Sequence, residues 1–304
     1  MPAPEKYNVG AFTDTFITES HKVNEDSFFA DGERGNLGIF DGLGGYEGGT
    51  AASRIASRVI SNSLKVIPEE TSSEHVISVL RGAWKDAKAA INSNKRQIAK
   101  AHPQMRDHLR GMGTTATVAK VFKENGRRKL AVAHSGNTRL YLVKRDGTVI
   151  CLTEDQNTLW TDRKKRQFSD SQATLIRERI DEADSEKDFG DIKGVGHYWD
   201  YRGSIDNCLG GALDREENHV FSVRDLEDDD VAVFATTDGI HHNLTASHIG
   251  KIIRYDITRN FPPQYTVGRL VEAAKHKAQI GGLRSTMDDM TAVGMSLIEN
   301  PPIQ

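Results

Sequence analysis

Ile39-Phe40-Asp41-Gly42-Leu43-Gly44-Gly45 sets an aspartate where a short apolar run ends and a glycine-rich turn begins. Far along the chain, Val233-Phe234-Ala235-Thr236-Thr237-Asp238-Gly239 repeats the arrangement, and Asp288-Asp289-Met290-Thr291 opens a third apolar run. Upstream, Asn24-Glu25-Asp26 precedes Phe28-Phe29. A single Asp-Gly after a strand is ordinarily only a turn. Asp228-Asp229-Asp230 reads the same way, as the turn into the run 231–236. Carboxylates at several separate strand ends have a further use: they can converge on Mg²⁺ or Mn²⁺, which take oxygen ligands in octahedral geometry. Glycine beside them lets a backbone carbonyl come close.

Outward from these ends, short apolar, β-rich runs occupy 37–40, 115–122, 130–133, 140–143, 149–152, 231–236 and 291–298, with Gly and Asp at their borders. Lys144-Arg145-Asp146-Gly147 between two of them is a hairpin signal. Helical spacing of apolar residues predicts a helix over 51–67, stopped by Pro68, and a second one capped by Ser72 or Ser73. In the second, Val76, Leu80, Ala83, Trp84, Ala87 and Ile91 form the stripe. Two later helices are expected over 247–260 and 266–279. Strands punctuated by helix pairs favour an α+β fold of antiparallel sheets with helices packed outside. The stretch 155–207 stands apart: it is polar, holds Arg163-Lys164-Lys165-Arg166 and an acidic run over 181–191, and offers one short helical piece at 173–180. Its plainer reading is a solvated insertion; its functional one is a lid or docking flap.

The chain has 304 residues, 37% of them hydrophobic and 27% charged, a soluble globular balance rather than a disordered or membrane one. No Pro/Gly/Ser-rich linker divides it, so one domain is expected over 1–304, with a flap near 156–207. Lys+Arg 40 against Asp+Glu 43 leaves −3, which provides no global basic field for nucleic acid or an anionic membrane. Cys151 and Cys208 lie far apart, which argues against a disulfide scaffold and for a reducing compartment. No apolar run is long enough to span a bilayer, and Met1–Lys6 lacks the order of a secretory signal, so the expected location is cytoplasmic.

Taken in order, the motifs resemble those of the PPM-type (type-2C) metal-dependent serine/threonine protein phosphatases in their bacterial form. Asn24-Glu25-Asp26 resembles the family's N-E-D, and Asp41-Gly42-Leu43-Gly44-Gly45 its D-G-M/H-G-G, followed by Gly49 and Ala52-Ser53. Gly113-Thr114-Thr115-Ala116 resembles G-T-T/S-A, Gly136-Asn137-Thr138-Arg139 resembles G-D-S-R, and Leu152-Thr153-Glu154-Asp155-Gln156 resembles L-T-x-D-H. Cys208-Leu209-Gly210 resembles A-L-G, Thr236-Thr237-Asp238-Gly239-Ile240 resembles T/S-D-G-L, and Asp288-Asp289-Met290-Thr291 resembles D-N-x-T.

The resemblance implies a four-layer α-β-β-α sandwich, two antiparallel sheets flanked by helix pairs, with the polar flap inserted. It implies hydrolysis of phosphoserine and phosphothreonine by direct attack of a water or hydroxide bridging two Mn²⁺ or Mg²⁺ ions, about 3.5–4 Å apart in such centres. Carried over by position, Asp41 bridges both ions and the Gly42 carbonyl completes one site. Asp238 and Asp288 hold the other ion, while Asp26 and Glu25 add a ligand or orient waters. Phosphorylated proteins are the implied partners, with a serine/threonine kinase as counterpart, and monomer is the family default.

Departures from the pattern carry their own expectations. His21 stands where the family usually has a phosphate-gripping arginine, and is expected as a weaker phosphate contact or as an ordinary surface histidine. Leu43 cannot donate a proton, so that role falls to water or another group, with His241 and His242 as candidates. Tyr46 and Thr50 replace the usual His and Glu of the loop, and Asp289 replaces an Asn, expected at the rim holding a water or a backbone group. Asn137 replaces an aspartate that helps bind a third ion; an amide brings oxygen without charge, so that third site is expected to be weakened. The alternatives are a pseudophosphatase that binds phosphorylated partners and a hydrolase of small phosphate esters. Against the first stands the mutual repulsion of Asp26, Asp41, Asp238 and Asp288 without metal.

Overall fold

Apolar residues that alternate between two destinations build the sheets. The computed structural model describes residues 6–16, 23–44 and 47–299. The chain begins with strands β1 (Tyr7–Thr15), β2 (Ser27–Asp31), β3 (Asn36–Phe40) and β4 (Gly42–Leu43), followed by helices α1 (Glu47–Leu64) and α2 (Ser73–Ala101). Strands β5 (Gly113–Thr114), β6 (Ala116–Glu124), β7 (Arg127–Ser135), β8 (Arg139–Lys144) and β9 (Val149–Cys151) come next. Helices α3 (Thr158–Lys164), α4 (Asp170–Glu182) and α5 (Val195–Asp200) lead to β10 (Val220–Asp225) and β11 (Asp230–Thr236). The chain closes with α6 (Asp238–His241), α7 (Ala246–Ile257), α8 (Pro263–Ile280) and β12 (Asp289–Glu299).

One sheet has the order β1-β12-β11-β8-β9 and the other β10-β7-β6-β3-β2, with antiparallel neighbours throughout. Between them lie Leu37, Ile39, Val121, Leu130, Leu142, Val233, Val293 and Met295. The alternate residues face outward: Phe40, Val118 and Phe122 meet Ile60, Leu64, Leu80 and Trp84 of α1 and α2, while Phe234 and Ala292 meet Ile253, Val267 and Leu270 of α7 and α8. This is the four-layer sandwich implied by the motifs. Each of the larger buried side chains contributes about 1.5–3 kcal/mol. Strands buried on both faces read as continuous apolar runs, which is why β6, β8, β11 and β12 are visible in sequence. Edge strands β1 and β10 mix buried and exposed residues and were not expected.

The two sequence-predicted helix pairs are present. Ser72 caps α2, its side chain accepting from His75 N, and the helix runs ten residues past Ile91, as far as Ala101. Gly147 N donates to Lys144 O at 2.9 Å, closing the expected hairpin. Gly10 of β1 lies opposite Gly294 of β12. A Cβ on Gly10 would collide with the backbone of Gln264, and one on Gly294 with the Phe234 ring. The N-terminal turn of α8 therefore rests on bare strand backbone.

The stretch 155–207 corrects the expectation of a largely irregular polar insertion with one short helix. It holds α3, α4 and α5, and Leu159, Ala173, Ile176, Ile180, Val195, Tyr198 and Trp199 form an apolar cluster of their own. Helix α4 starts with a capping box between Ser169 and Gln172. The cluster escapes a sequence reading because its members are few, sit among charges and pair over long separations, leaving little local periodicity.

Candidate metal centre

Four strand ends deliver the acidic residues to one place. At the end of β3, Asp41 N donates to Thr115 Oγ1 (2.9 Å), while Asp41 O accepts from Thr115 N and Thr114 Oγ1 (both 2.8 Å). The backbone is thus fixed and the carboxyl is left for other work. Thr237, after β11, ties three segments: its Oγ1 donates to Asp26 Oδ2 (2.9 Å) and accepts from Thr291 N (3.0 Å), and its own N donates to Thr291 O (3.0 Å). Asp238 follows it at the start of α6. Asp26 N donates to Asn24 Oδ1 (2.8 Å), and Asn24 Nδ2 donates to Thr13 Oγ1 (2.8 Å), anchoring the turn to β1. Gly42 is buried; a Cβ there would collide with the Gly49 backbone and lie 2.7 Å from Glu25 O, so the turn and α1 meet without room for a side chain.

The carboxyls act on one another's charge. Burial, followed by the Asp238, Asp26 and Asp288 charges and contact with the Asp238 carboxyl, drives Asp41 well above the usual carboxylate range. Asp26 is raised in the same way, by burial first and then by Asp289 and Asp288, against bonds from Thr291 and Thr237 that favour its charged form. Among the described residues no lysine or arginine forms an ion pair with Asp26, Asp41 or Asp238. Oxygen donors of one sign, gathered without an internal counter-charge, fit a hard divalent cation. Asp238 Oδ2 has two further neighbours: Asn137 Nδ2 donates to it at 2.9 Å, and His242 Nδ1 lies 3.5 Å away. Asn137 Oδ1 is buried and has no hydrogen-bond partner among the described residues.

A separate acidic group, Glu227, Asp229 and Asp230, brings its carboxylate oxygens within 4.8 Å of one another. There Lys144 Nζ sits among them at 2.6, 2.9 and 3.3 Å, so the charge is already met. It is the turn into β11 that the sequence suggested.

Of the sequence-predicted residues, Asp26, Asp41, Asp238 and Asp288 converge, with Gly42 beside Asp41. Glu25 donates its N to Asp289 Oδ2 (2.6 Å), and its side chain lies against Gly49. Asp289 does hold a backbone group, but it is 4% exposed rather than at a rim. Thr50 donates to Asn24 O at 3.4 Å. His21 and Tyr46 lie outside the described residues. His241 and His242 are both buried, and burial pushes both imidazoles down, His241 furthest, which leaves them neutral near pH 7. In the basic run, Arg163 grips Glu154 with two bonds (2.8 and 2.7 Å), whereas Lys165 and Arg166 face solvent.

Sequence reasoning missed the framework behind the acids. Arg139 is buried and donates to both Asp155 oxygens (2.9 and 2.7 Å) and to Asp181 Oδ1 of α4 (2.8 Å). Its motif position was visible, but Asp181 was hidden within a run that looked merely solvated. A cavity of about 30 Å³, with room for little more than a water molecule, lies between Arg139, Trp160, His242 and Arg284.

Comparison with known proteins agrees with this geometry. The Listeria welshimeri "Serine/threonine phosphatase stp" is 31% identical over 119 residues, covering 39% of this chain and 42% of that protein, less than half its length. Among solved structures, the Mycobacterium tuberculosis serine/threonine phosphatase PstP/Ppp superposes with TM-score 0.65 at 21% identity, over 96% of this chain and 98% of that one. Stp1 from Staphylococcus aureus superposes with TM-score 0.65 at 17% identity, over 96% and 95%. The PstP catalytic domain in complex with two manganese ions gives 0.62 at 21%, over 95% and 97%. These likenesses establish a shared fold. The family model described as "Protein phosphatase 2C" matches residues 10–281, from β1 to just past α8, a span that includes Asp26, Asp41 and Asp238. With that match over most of its length, the chain belongs to the protein phosphatase 2C family.

Proposed function

We propose that this protein hydrolyses phosphoserine and phosphothreonine in other proteins in a metal-dependent reaction. The observation that carries the reading is the meeting of Asp26, Asp41, Asp238 and Asp288 at one end of the sandwich, where Asp41 is raised by burial and by the charges of Asp238, Asp26 and Asp288, and Asp26 by burial and by the charges of Asp289 and Asp288. Asp41 would contribute to holding both ions, with the Gly42 carbonyl completing one site; Asp238 and Asp288 would hold the other ion, and Asp26 and Glu25 would add a ligand or orient waters. Two Mn²⁺ or Mg²⁺ ions bound there would supply an activated water and neutralise the phosphate oxygens. His21, three residues before Asn24, is the proposed phosphate contact. Near pH 7 the neutral His241 and His242 are poor proton donors, which favours water for that role. Asn137 places an amide N–H on Asp238 Oδ2, which supports a weakened third site.

Residues 1–304 are proposed to act as one domain, monomeric, with phosphorylated proteins as substrates and a serine/threonine kinase as counterpart. Both cysteines are free, and no helix of the described residues is long and apolar enough to cross a membrane; both facts support a cytoplasmic location. The test is hydrolysis of an aryl phosphate and of a phosphopeptide panel with and without Mn²⁺. Mn²⁺-dependent turnover of both substrates is expected, with Asp238→Ala lowering it by more than about 100-fold, beyond the loss typical of residues behind the ligands. Metal binding without turnover of any substrate would establish the pseudophosphatase reading instead, and turnover of the aryl phosphate alone would establish a small-ester hydrolase.

A further inference from the structure

Arg284 lies on the segment between α8 and β12 and is 2% exposed. Among the described residues it has no carboxylate partner; its guanidinium serves three backbone carbonyls of two other elements. Nη1 donates to Ile180 O (2.8 Å) and Ala183 O (2.7 Å) at the end of α4, and Nη2 donates to His241 O (2.8 Å) at the end of α6. Carbonyls at a helix C-terminus lack intrahelical donors and carry partial negative charge, so both Nη groups of the buried cation are met there, while Nε has no hydrogen-bond partner among the described residues. The guanidinium carbon also lies 5.2 Å from the centre of the Trp199 ring of α5.

Four residues after Arg284 the chain reaches Asp288, and Asp238 opens the turn that Arg284 holds. The same segment is fastened to α6 a second time. Asn243 Nδ2 donates to Gly239 O (2.8 Å) and Thr286 O (2.9 Å), and Thr286 N donates to Asn243 Oδ1 (2.9 Å). One braced unit therefore carries Asp238 at one end and Asp288 at the other, and through Arg284 it is attached to the end of α4 in the 156–207 insertion. We infer that Arg284 is a positioning residue that couples the docking of this insertion to the spacing of Asp238 and Asp288. Metal affinity and the order of the insertion then rise and fall together, because such coupling is reciprocal. The inference rests on the metal-centre reading of the preceding section. Helix α4 has an independent tie to the core through Arg139 and Asp181, so the insertion does not depend on Arg284 alone for its fold.

The experiment uses the full chain as wild type, Arg284→Met and Arg284→Lys. Mn²⁺ binding is read by electron paramagnetic resonance of the free ion. Amide hydrogen exchange over α4 and α5 is measured with and without saturating Mn²⁺. Arg284→Met is expected to raise the Mn²⁺ dissociation constant about 10- to 100-fold, the range for residues that orient metal ligands. Arg284→Lys, which keeps the charge but loses the planar fork, gives a smaller rise and decides the matter if the Met variant fails to fold. Mn²⁺ slows exchange in α4 and α5 of the wild type, and this slowing is lost in the variants. Variants that bind Mn²⁺ like wild type, or a wild-type insertion whose exchange ignores bound Mn²⁺, would overturn the inference. A wild type that binds no Mn²⁺ would overturn the metal centre itself.

Discussion

Asn137 decides what one oxygen of Asp238 is available for. Its amide N–H occupies Asp238 Oδ2 at 2.9 Å, while its own Oδ1 is buried without a partner among the described residues. In Asn137→Asp the N–H is gone and a charge is gained, which raises the affinity of an added cation, since affinity follows ligand charge. The expected outcome is a further bound Mn²⁺ per chain by calorimetry and a second, weaker phase in the Mn²⁺ dependence of activity; a variant with the wild-type count and profile would contradict it. The acids themselves were legible because each sits at a strand end beside glycine or a second acid, a spacing that survives in one dimension. Arg284 was not, because an arginine bonded only to carbonyls implies no partner residue type. His21 was legible as a departure, yet it lies outside the described residues.

The β6–β7 pair contains an element with its own pH dependence. His134 is buried, its Nε2 facing Glu154 O at 3.0 Å and its Nδ1 facing Thr117 Oγ1 at 2.8 Å, so Nε2 carries the proton and Nδ1 accepts from the hydroxyl. Burial outweighs the polar contacts and holds its pKa at about 4. Between pH 6.5 and about 4 the unfolded chain takes up a proton that the folded chain refuses, so stability is lost as pH falls through that window and is unaffected above it. The full effect is about 3 kcal/mol, measurable as the difference in urea unfolding free energy between pH 7 and pH 4. His134→Gln should flatten that slope even where it lowers stability at pH 7. The doubly buried strands and the helix pairs were readable from composition and spacing. Strands β1 and β10 were not, since edge strands alternate weakly, and neither was the cluster around Trp199, whose members meet only in three dimensions.

The sandwich brings the acids together because strands of its two face-packed sheets finish at the same end, β3 before Asp41 and β11 before Asp238, so metal binding should act on the stability of the entire chain. Added Mn²⁺ at about 100 times its dissociation constant stabilises the native state by about 2.7 kcal/mol. That corresponds to a rise in melting temperature on the order of 5 °C for a chain of this size. Differential scanning fluorimetry should show this rise in wild type and its disappearance with chelator or in Asp238→Ala; a Mn²⁺ response retained by that variant would place the ions elsewhere. The order of layers was legible from the sequence of strand groups and helix pairs; how closely those layers approach one another was not. That closeness has a cost in tolerance at Gly10 and Gly294, where α8 settles onto the sheet. A methyl on Gly10 would lever the helix outward, and the segment leaving its far end would carry Asp288 with it, whereas one on Gly294 would first meet the Phe234 ring. A single hydrogen atom, remote from any reacting group, thus gauges how far the last acid can reach.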